Sequence, residues 1–209
     1  LSYSSLLLDK AASPKEKAWL KIIVDETMRC RNIVAGLLEF SRQTAPEKIL
    51  TDINDIIERA VNLLQNQESF HNISIVKKLD TGLPKVRIDR GQLYQVFMNL
   101  MINASDAMNQ KGTLTIESRL NVVKSTVTAD RQFVEVVFTD TGCGIPKEIL
   151  ERLFDPFFTT KGPTVGTGLG LSICYGIVRR HDGNITVNSK PGEGATFKIS
   201  LPAGGGEDG

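Results

Sequence analysis

An aspartate that closes an apolar run and is followed at once by a glycine turn is the most chemically suggestive point in this chain: Asp140 ends EVVFTD and leads into TGCG, residues 141–144. A carboxylate held at a strand end accepts hydrogen bonds, and Gly142 and Gly144 leave room for a flat base to approach it. The base so read would carry an exocyclic amine, as adenine does and guanine at the equivalent position does not. Upstream, NLMINASDA places Asn99 and Asn103 one helical turn apart with Asp106 beside them. Amide oxygens suit Mg²⁺, which takes oxygen ligands octahedrally and keeps water and phosphate oxygens in its shell. Downstream, Gly166, Gly168 and Gly170 alternate just before the apolar run LSICYGIV, and N–H groups exposed at a helix start form an anion site. Between the two glycine turns lies FDPFFTTK, residues 154–161, an aperiodic stretch suited to a lid. Lys161 there could neutralise phosphate, and Phe157 or Phe158 could dock the lid to a helical hairpin expected at the start of the chain. Taken singly, these patterns describe an Asx turn, solvated asparagines, a flexible loop and core phenylalanines. Their joint order describes a nucleotide site.

Regular elements must hold these groups. At about 100° per residue, Leu93, Phe97, Leu100, Ala104 and Met108 share one face of a helix expected over 90–109, with Asn99, Asn103 and Asp106 on its flank. Alternation predicts antiparallel strands at 113–122 and 132–139, joined by the polar loop KSTVTAD. Further helices are expected at about 52–68, after Pro146 and at about 169–180, and strands at 73–79, 85–88, 184–189 and 195–201. Asp182-Gly183 and Pro191-Gly192 supply turns. Helices mixed with antiparallel strands predict an α+β fold, a two-layer α/β sandwich with three helices over one sheet face.

Ahead of this module, residues 1–10 and 14–44 read as two helices parted by AASP, where Ser13 can cap and Pro14 can open the second. Leu20, Ile23, Thr27, Cys30, Val34, Leu37 and Ser41 step by threes and fours. Trp19, Ile22, Ile33 and Leu38 widen that stripe beyond what a hairpin covers alone, which points to a second copy and a four-helix bundle. Pro46 marks the boundary, and the tail AGGGEDG is expected to be disordered.

Composition narrows the partners. With 25 basic and 24 acidic residues in 209, the chain has no overall basic field for nucleic acid or an anionic membrane. Cys30, Cys143 and Cys174 lack CxxC spacing, so neither a disulfide framework nor a zinc site is suggested. No apolar run approaches the ~20 residues of a membrane span, and the portion at hand is expected to be cytoplasmic. It opens at Leu1 inside an apolar helical segment and reads as part of something longer, so any membrane attachment would come through segments upstream.

In this order, the asparagine box, first glycine box, phenylalanine box and second glycine box resemble the ATP-binding catalytic region of sensor histidine kinases. FDPFFTTK and GTGLGLSI resemble the nitrogen-regulation type. The resemblance implies an ATP-binding domain at 49–202 of the fold shared with type II topoisomerases, mismatch-repair ATPases and the heat-shock chaperone ATPase. Residues 1–45 would be most of a dimerisation and phosphoacceptor hairpin, and 203–209 a tail. It further implies ATP and Mg²⁺ as cofactors, Asn103 as metal ligand, Asp140 on the adenine amine, and Asn99 and Lys161 as the catalytic pair. The nucleotide would lie among Asn99, Asn103, Asp106, Asp140, Gly142, Gly144, Ile145, Phe154, Thr160, Lys161, Gly166, Thr167, Gly168, Leu169, Gly170, Leu171 and Thr196. Hydrolysing relatives place a glutamate base where this chain has Asn99. An amide takes up no proton at neutral pH, which reserves the γ-phosphoryl group for another acceptor. That acceptor histidine would precede Leu1, since His71 and His181 stand in structural or solvated contexts. The partners implied are a second copy through the hairpin and a response-regulator receiver domain, with no nucleic acid. An ATP-driven conformational clamp and an anti-sigma-type serine kinase are the alternatives within the same fold.

Overall fold

The computed structural model describes residue 7 and residues 13–41, 46–124, 131–161 and 167–204. Two compact units divide the chain, Leu1–Thr44 with Asp155–Ser172, and Ala45–Phe154 with Ile173–Gly209.

In the first unit, helix α1 spans Pro14–Ser41. Its start is a capping box: the Ser13 hydroxyl accepts from the Glu16 N–H at 3.2 Å, and the Glu16 carboxylate accepts from the Ser13 N–H at 3.2 Å. Trp19, Ile22, Ile23 and Val34 of the expected stripe are 57%, 59%, 52% and 54% exposed, so this chain alone leaves them uncovered. Apart from Leu7, the first helical arm expected at 1–10 lies outside the described residues, as does most of the 124–130 loop and the end of the tail.

The second unit is built on a sheet that the sequence shows only in part. Its elements are β1 (Ile49–Thr51), α2 (Ile53–Leu64), a short 3₁₀ turn (Glu68–Phe70), β2 (Asn72–Leu79), β3 (Val86–Ile88), α3 (Arg90–Ala107), β4 (Lys111–Val123), β5 (Arg131–Asp140), α4 (Lys147–Leu150), α5 (Gly170–Arg180, whose first turn up to Ser172 falls in the first unit), β6 (Asn184–Ser189) and β7 (Ala195–Pro202). Five strands lie in the order β2-β4-β5-β7-β6. The β4–β5, β5–β7 and β6–β7 pairs are antiparallel, while β2 runs parallel to β4, so the sheet is mixed. A separate pair joins β1 to β3 antiparallel. This α+β arrangement agrees with the fold class expected from the patterning.

Helices pack on one sheet face. Ile53, Ile57, Val61 and Leu64 of α2, Leu93, Phe97, Leu100 and Met101 of α3, and Cys174, Ile177 and Val178 of α5 are buried there with Leu114, Ile116, Val134, Val136, Phe138, Ile199 and Leu201. Phe97 meets Phe138 with ring centroids 5.4 Å apart. Such an interior contributes ~25 cal/mol per Å² of apolar surface removed from water. The opposite face is polar, but Glu135 on β5 is buried in it, its side chain 3% exposed. Arg119 donates to Glu135 at 2.9 Å and Asn121 at 3.0 Å, and Lys198 lies at 3.3 Å. Burial pushes the Glu135 carboxyl up, but hydrogen bonds from Arg119, Asn121 and Lys198 outweigh it and hold the group below the usual range.

Candidate nucleotide site

Helix α3 fixes the two asparagines. Asp89 caps it, its Oδ1 accepting from Gly91 and Gln92 N–H at 2.9 and 3.0 Å. Its other end closes in a Schellman turn: the Gln110 N–H reaches the Ser105 carbonyl at 2.9 Å and the Asn109 N–H the Asp106 carbonyl at 3.1 Å, with Asn109 at φ 50°. Between these caps Asn99 and Asn103 are half-buried and Asp106 is exposed, while Leu93, Phe97, Leu100, Ala104 and Met108 are buried as expected. The Asn99 Nδ2 faces the Cys174 sulfur at 3.7 Å, which turns its amide nitrogen toward α5. Burial pushes the Cys174 thiol up to about 12, so it stays an inert neutral group.

Asp140 ends β5 and is 4% exposed. Its Oδ1 accepts from the Gly142 N–H at 2.8 Å, an Asx turn, and from the Ala195 N–H at 3.3 Å. Oδ2 accepts no hydrogen bond among the described residues. Burial pushes this carboxyl above the usual aspartate value, against the pull of the two N–H donors. The Asx turn and a base-reading role are therefore compatible, since each uses a different oxygen.

The glycines of this turn answer first to the protein itself. A Cβ on Gly142 would stand 2.7 Å from the Ala107 carbonyl oxygen, whose lone pair the Cys143 N–H takes at 3.0 Å. Gly144 sits at φ 71°, and a Cβ there would collide with the Lys190 carbonyl. Ile145 donates its N–H to the Ser189 hydroxyl at 2.8 Å. Thr196, expected beside the base, pairs its hydroxyl with that of Thr139 at 3.1 Å. Strand alternation puts both hydroxyls on the face opposite Asp140, and Ala195 stands on the Asp140 face. Ala195 and Ser189 escaped the sequence reading, although the buried Phe197, Ile199 and Leu201 already set the alternation in β7. Phe154 is half-buried, its ring 5.5 Å from that of Tyr175.

The remaining residues singled out from the sequence, Thr160 to Leu171, fall in the first unit. Thr160 is exposed and Lys161 half-buried; the Lys161 N–H donates to the Thr159 hydroxyl at 3.1 Å. Gly168 has φ 67° and packs on the Phe157 backbone, where no Cβ would fit. The Leu169 N–H points at the Thr167 hydroxyl at 3.4 Å, and the Ser172 hydroxyl donates to the Leu169 carbonyl at 2.9 Å. Leu169 is buried, Gly170 and Leu171 half-buried. Helix α5 begins at Gly170, so its first N–H groups follow directly on this turn. Gly166 lies outside the described residues. His181, at the far end of α5, is 2% exposed and structural: its Nδ1 donates to the Ile177 carbonyl at 2.8 Å and its Nε2 accepts from the Asp89 N–H at 2.9 Å. Among the described residues no cluster of His, Cys, Asp and Glu could hold a metal, and no helix is long and apolar enough to cross a membrane.

Known proteins share this architecture. Residues 88–205 match the family described as histidine kinase-, DNA gyrase B-, and HSP90-like ATPase. The signal transduction histidine-protein kinase AtoS of Escherichia coli (strain K12) is 32% identical over 96% of this chain and 31% of its own length. The sensor kinase CckA of Brucella abortus (strain 2308) is 36% identical over 97% of this chain and 22% of its own. The chain thus spans less than a third of the length of either relative. A crystal structure of the histidine kinase ThkA in complex with the response regulator protein TrrA superimposes with a TM-score of 0.69 at 28% identity, over 97% of this chain and 56% of that one.

Proposed function

The chain belongs to the histidine kinase-, DNA gyrase B- and HSP90-like ATPase family, and from that premise we propose that it is the ATP-binding core of a sensor histidine kinase. It binds Mg-ATP and presents the γ-phosphoryl group to a histidine on a dimeric helical hairpin. One observation carries the nucleotide assignment: Asp140 is almost fully buried, yet both its hydrogen bonds fall on Oδ1. Oδ2 is not enclosed, since Asp140 contributes no buried unpartnered oxygen among the described residues, so it keeps an opening through which a ligand donor such as the adenine amine can reach it.

The donor chemistry fits Mg²⁺: Asn103 and Asn99 offer neutral amide oxygens, which suit a hard cation whose remaining ligands are water and phosphate oxygens. When bound, the ion neutralises phosphate charge. The first N–H groups of α5, the turn from Thr167 and Lys161 supply the protein's own positive potential for the phosphates. Asn99 accepts no proton from water, which favours transfer over hydrolysis and weighs against the ATP-driven clamp. The exposed stripe of α1 supports pairing with a second copy. ThkA's complex with TrrA supports a response regulator as the phosphoryl acceptor that follows.

Calorimetric titration of this chain with non-hydrolysable ATP and GTP analogues tests the reading. The ATP analogue binds and the GTP analogue binds more weakly by roughly 10-fold or more, the worth of one hydrogen bond to a charged group. Equal affinities would remove Asp140 from base recognition.

A further inference from the structure

The turn that carries Asp140 is not self-supporting. It is braced by the β6–β7 turn, and the brace converges on one buried hydroxyl. Ser189, 8% exposed, donates to the Gly194 carbonyl at 2.6 Å and accepts from the Ile145 N–H at 2.8 Å. A carbonyl cannot donate and an amide N–H cannot accept, so both roles of the hydroxyl are fixed. Around it, the Gly192 N–H reaches the Cys143 carbonyl at 2.7 Å, and the Ala195 N–H holds the Asp140 Oδ1. Gly144 is pressed against the Lys190 carbonyl and Gly194 against the Asp140 carbonyl so closely that a Cβ fits at neither.

We propose that Ser189 is a positioning residue for base recognition: its hydroxyl locks the Asp140–Ile145 turn to the β6–β7 turn in the shape that aims the Asp140 carboxylate at the nucleotide base. The inference rests on the assignment of Asp140 as the base reader. Without the hydroxyl, Ile145 and Gly194 each lose a buried partner. The Gly192–Cys143 bond still tethers the two turns, but the 144–145 segment is released. The loss falls on the base and not on the phosphates, whose candidate groups lie at 161 and 167–172.

The test is a cycle of Ser189→Ala and Asp140→Asn, each checked for a cooperative unfolding transition and titrated with ATP analogue and with adenosine. Ser189→Ala weakens both ligands by the same factor, about 10-fold for a lost pair of buried hydrogen bonds acting through one carboxylate. Ser189→Thr, which keeps donor and acceptor, restores affinity to within about twofold of the parent. Combined with Asp140→Asn, Ser189→Ala costs no further affinity, because the group it positions is already disabled. A folded Ser189→Ala protein with unchanged affinity overturns the proposal, as do losses that multiply in the double variant. Unchanged affinity in Asp140→Asn overturns the base-reading assignment and this inference with it; weakened Asp140→Asn beside unaffected Ser189→Ala overturns this inference alone. If Ser189→Ala does not fold, Ser189→Cys, close in size with only a weak donor, is read by the same criteria.

Discussion

Replacing Asp140 by asparagine should weaken nucleotide binding without weakening the ligand-free fold, an unusual pairing of signs for a residue 4% exposed. The Gly142 and Ala195 N–H groups both point at Oδ1, so the amide oxygen of the variant must take that position. Its NH₂ then stands where Oδ2 stood, and a donor faces the amine of the base. The loss is one charge-assisted hydrogen bond, about 1.5–3 kcal/mol, or roughly 10-fold to 150-fold in affinity. For the fold the balance is reversed. Burial raises the Asp140 carboxyl above its ordinary 3.8, so the native state binds more protons than the unfolded chain between that value and the raised one. Stability therefore falls as pH rises through that window, and at neutral pH the ionised group is a cost that the amide removes. Titration with an ATP analogue and denaturant unfolding of the ligand-free protein, both at neutral pH, read the two effects. Unchanged affinity, or an affinity loss accompanied by a lower unfolding midpoint, would refute this reasoning.

Other perturbations separate structure from chemistry. Burial lowers the His181 imidazole from 6.5, and the neutral ring accepts from Asp89; this contribution is complete above pH 6.5 and declines as pH falls toward the lowered value, a slope that denaturant titrations should show and His181→Gln should lack. Glu135→Ala should cost about 1–3 kcal/mol by denaturation, less than for a fully enclosed pair, because Arg119 and Lys198 can still reach water. The Glu135 contribution is present above pH 4.5 and is lost as pH drops below that toward its lowered value. Gly144→Ala should destabilise by at least about 2 kcal/mol, since φ is positive and Lys190 blocks the Cβ, whereas Gly170→Ala, whose Cβ meets nothing within 4 Å among the described residues beyond its own helix and chain neighbours, should stay within about 1 kcal/mol by the same assay.

Long periodic segments of this fold were legible in the sequence because the apolar face that drives their packing is written every three or four residues, or every second one. The buried face of α3 and the four C-terminal strands are of that kind. Strand β1, only three residues long, carries too little period to be seen. The parallel pairing of β2 with β4 depends on what α3 and its turns do between them, which no local pattern encodes. At the site, the Asp140 turn was legible because type and order coincide. The positions of Thr196 and Ser189 were not: one depends on which sheet face a strand presents, the other on a contact across 44 residues with Ile145. Gly142 and Gly144 were read as clearance for a base, yet the carbonyls of Ala107 and Lys190 already forbid a side chain at each.

The most direct measurement concerns the fate of the γ-phosphoryl group. The chain, joined to a histidine-bearing hairpin helix and given Mg²⁺ and γ-labelled ATP, should form an acid-labile, base-stable phosphoryl adduct on that histidine, with little release of inorganic phosphate. Asn103→Asp should abolish the adduct by altering charge and hydrogen bonding where the metal is held. Rapid phosphate release without a histidine adduct, or an acid-stable phosphoserine, would contradict the assignment of this chain as a histidine kinase core.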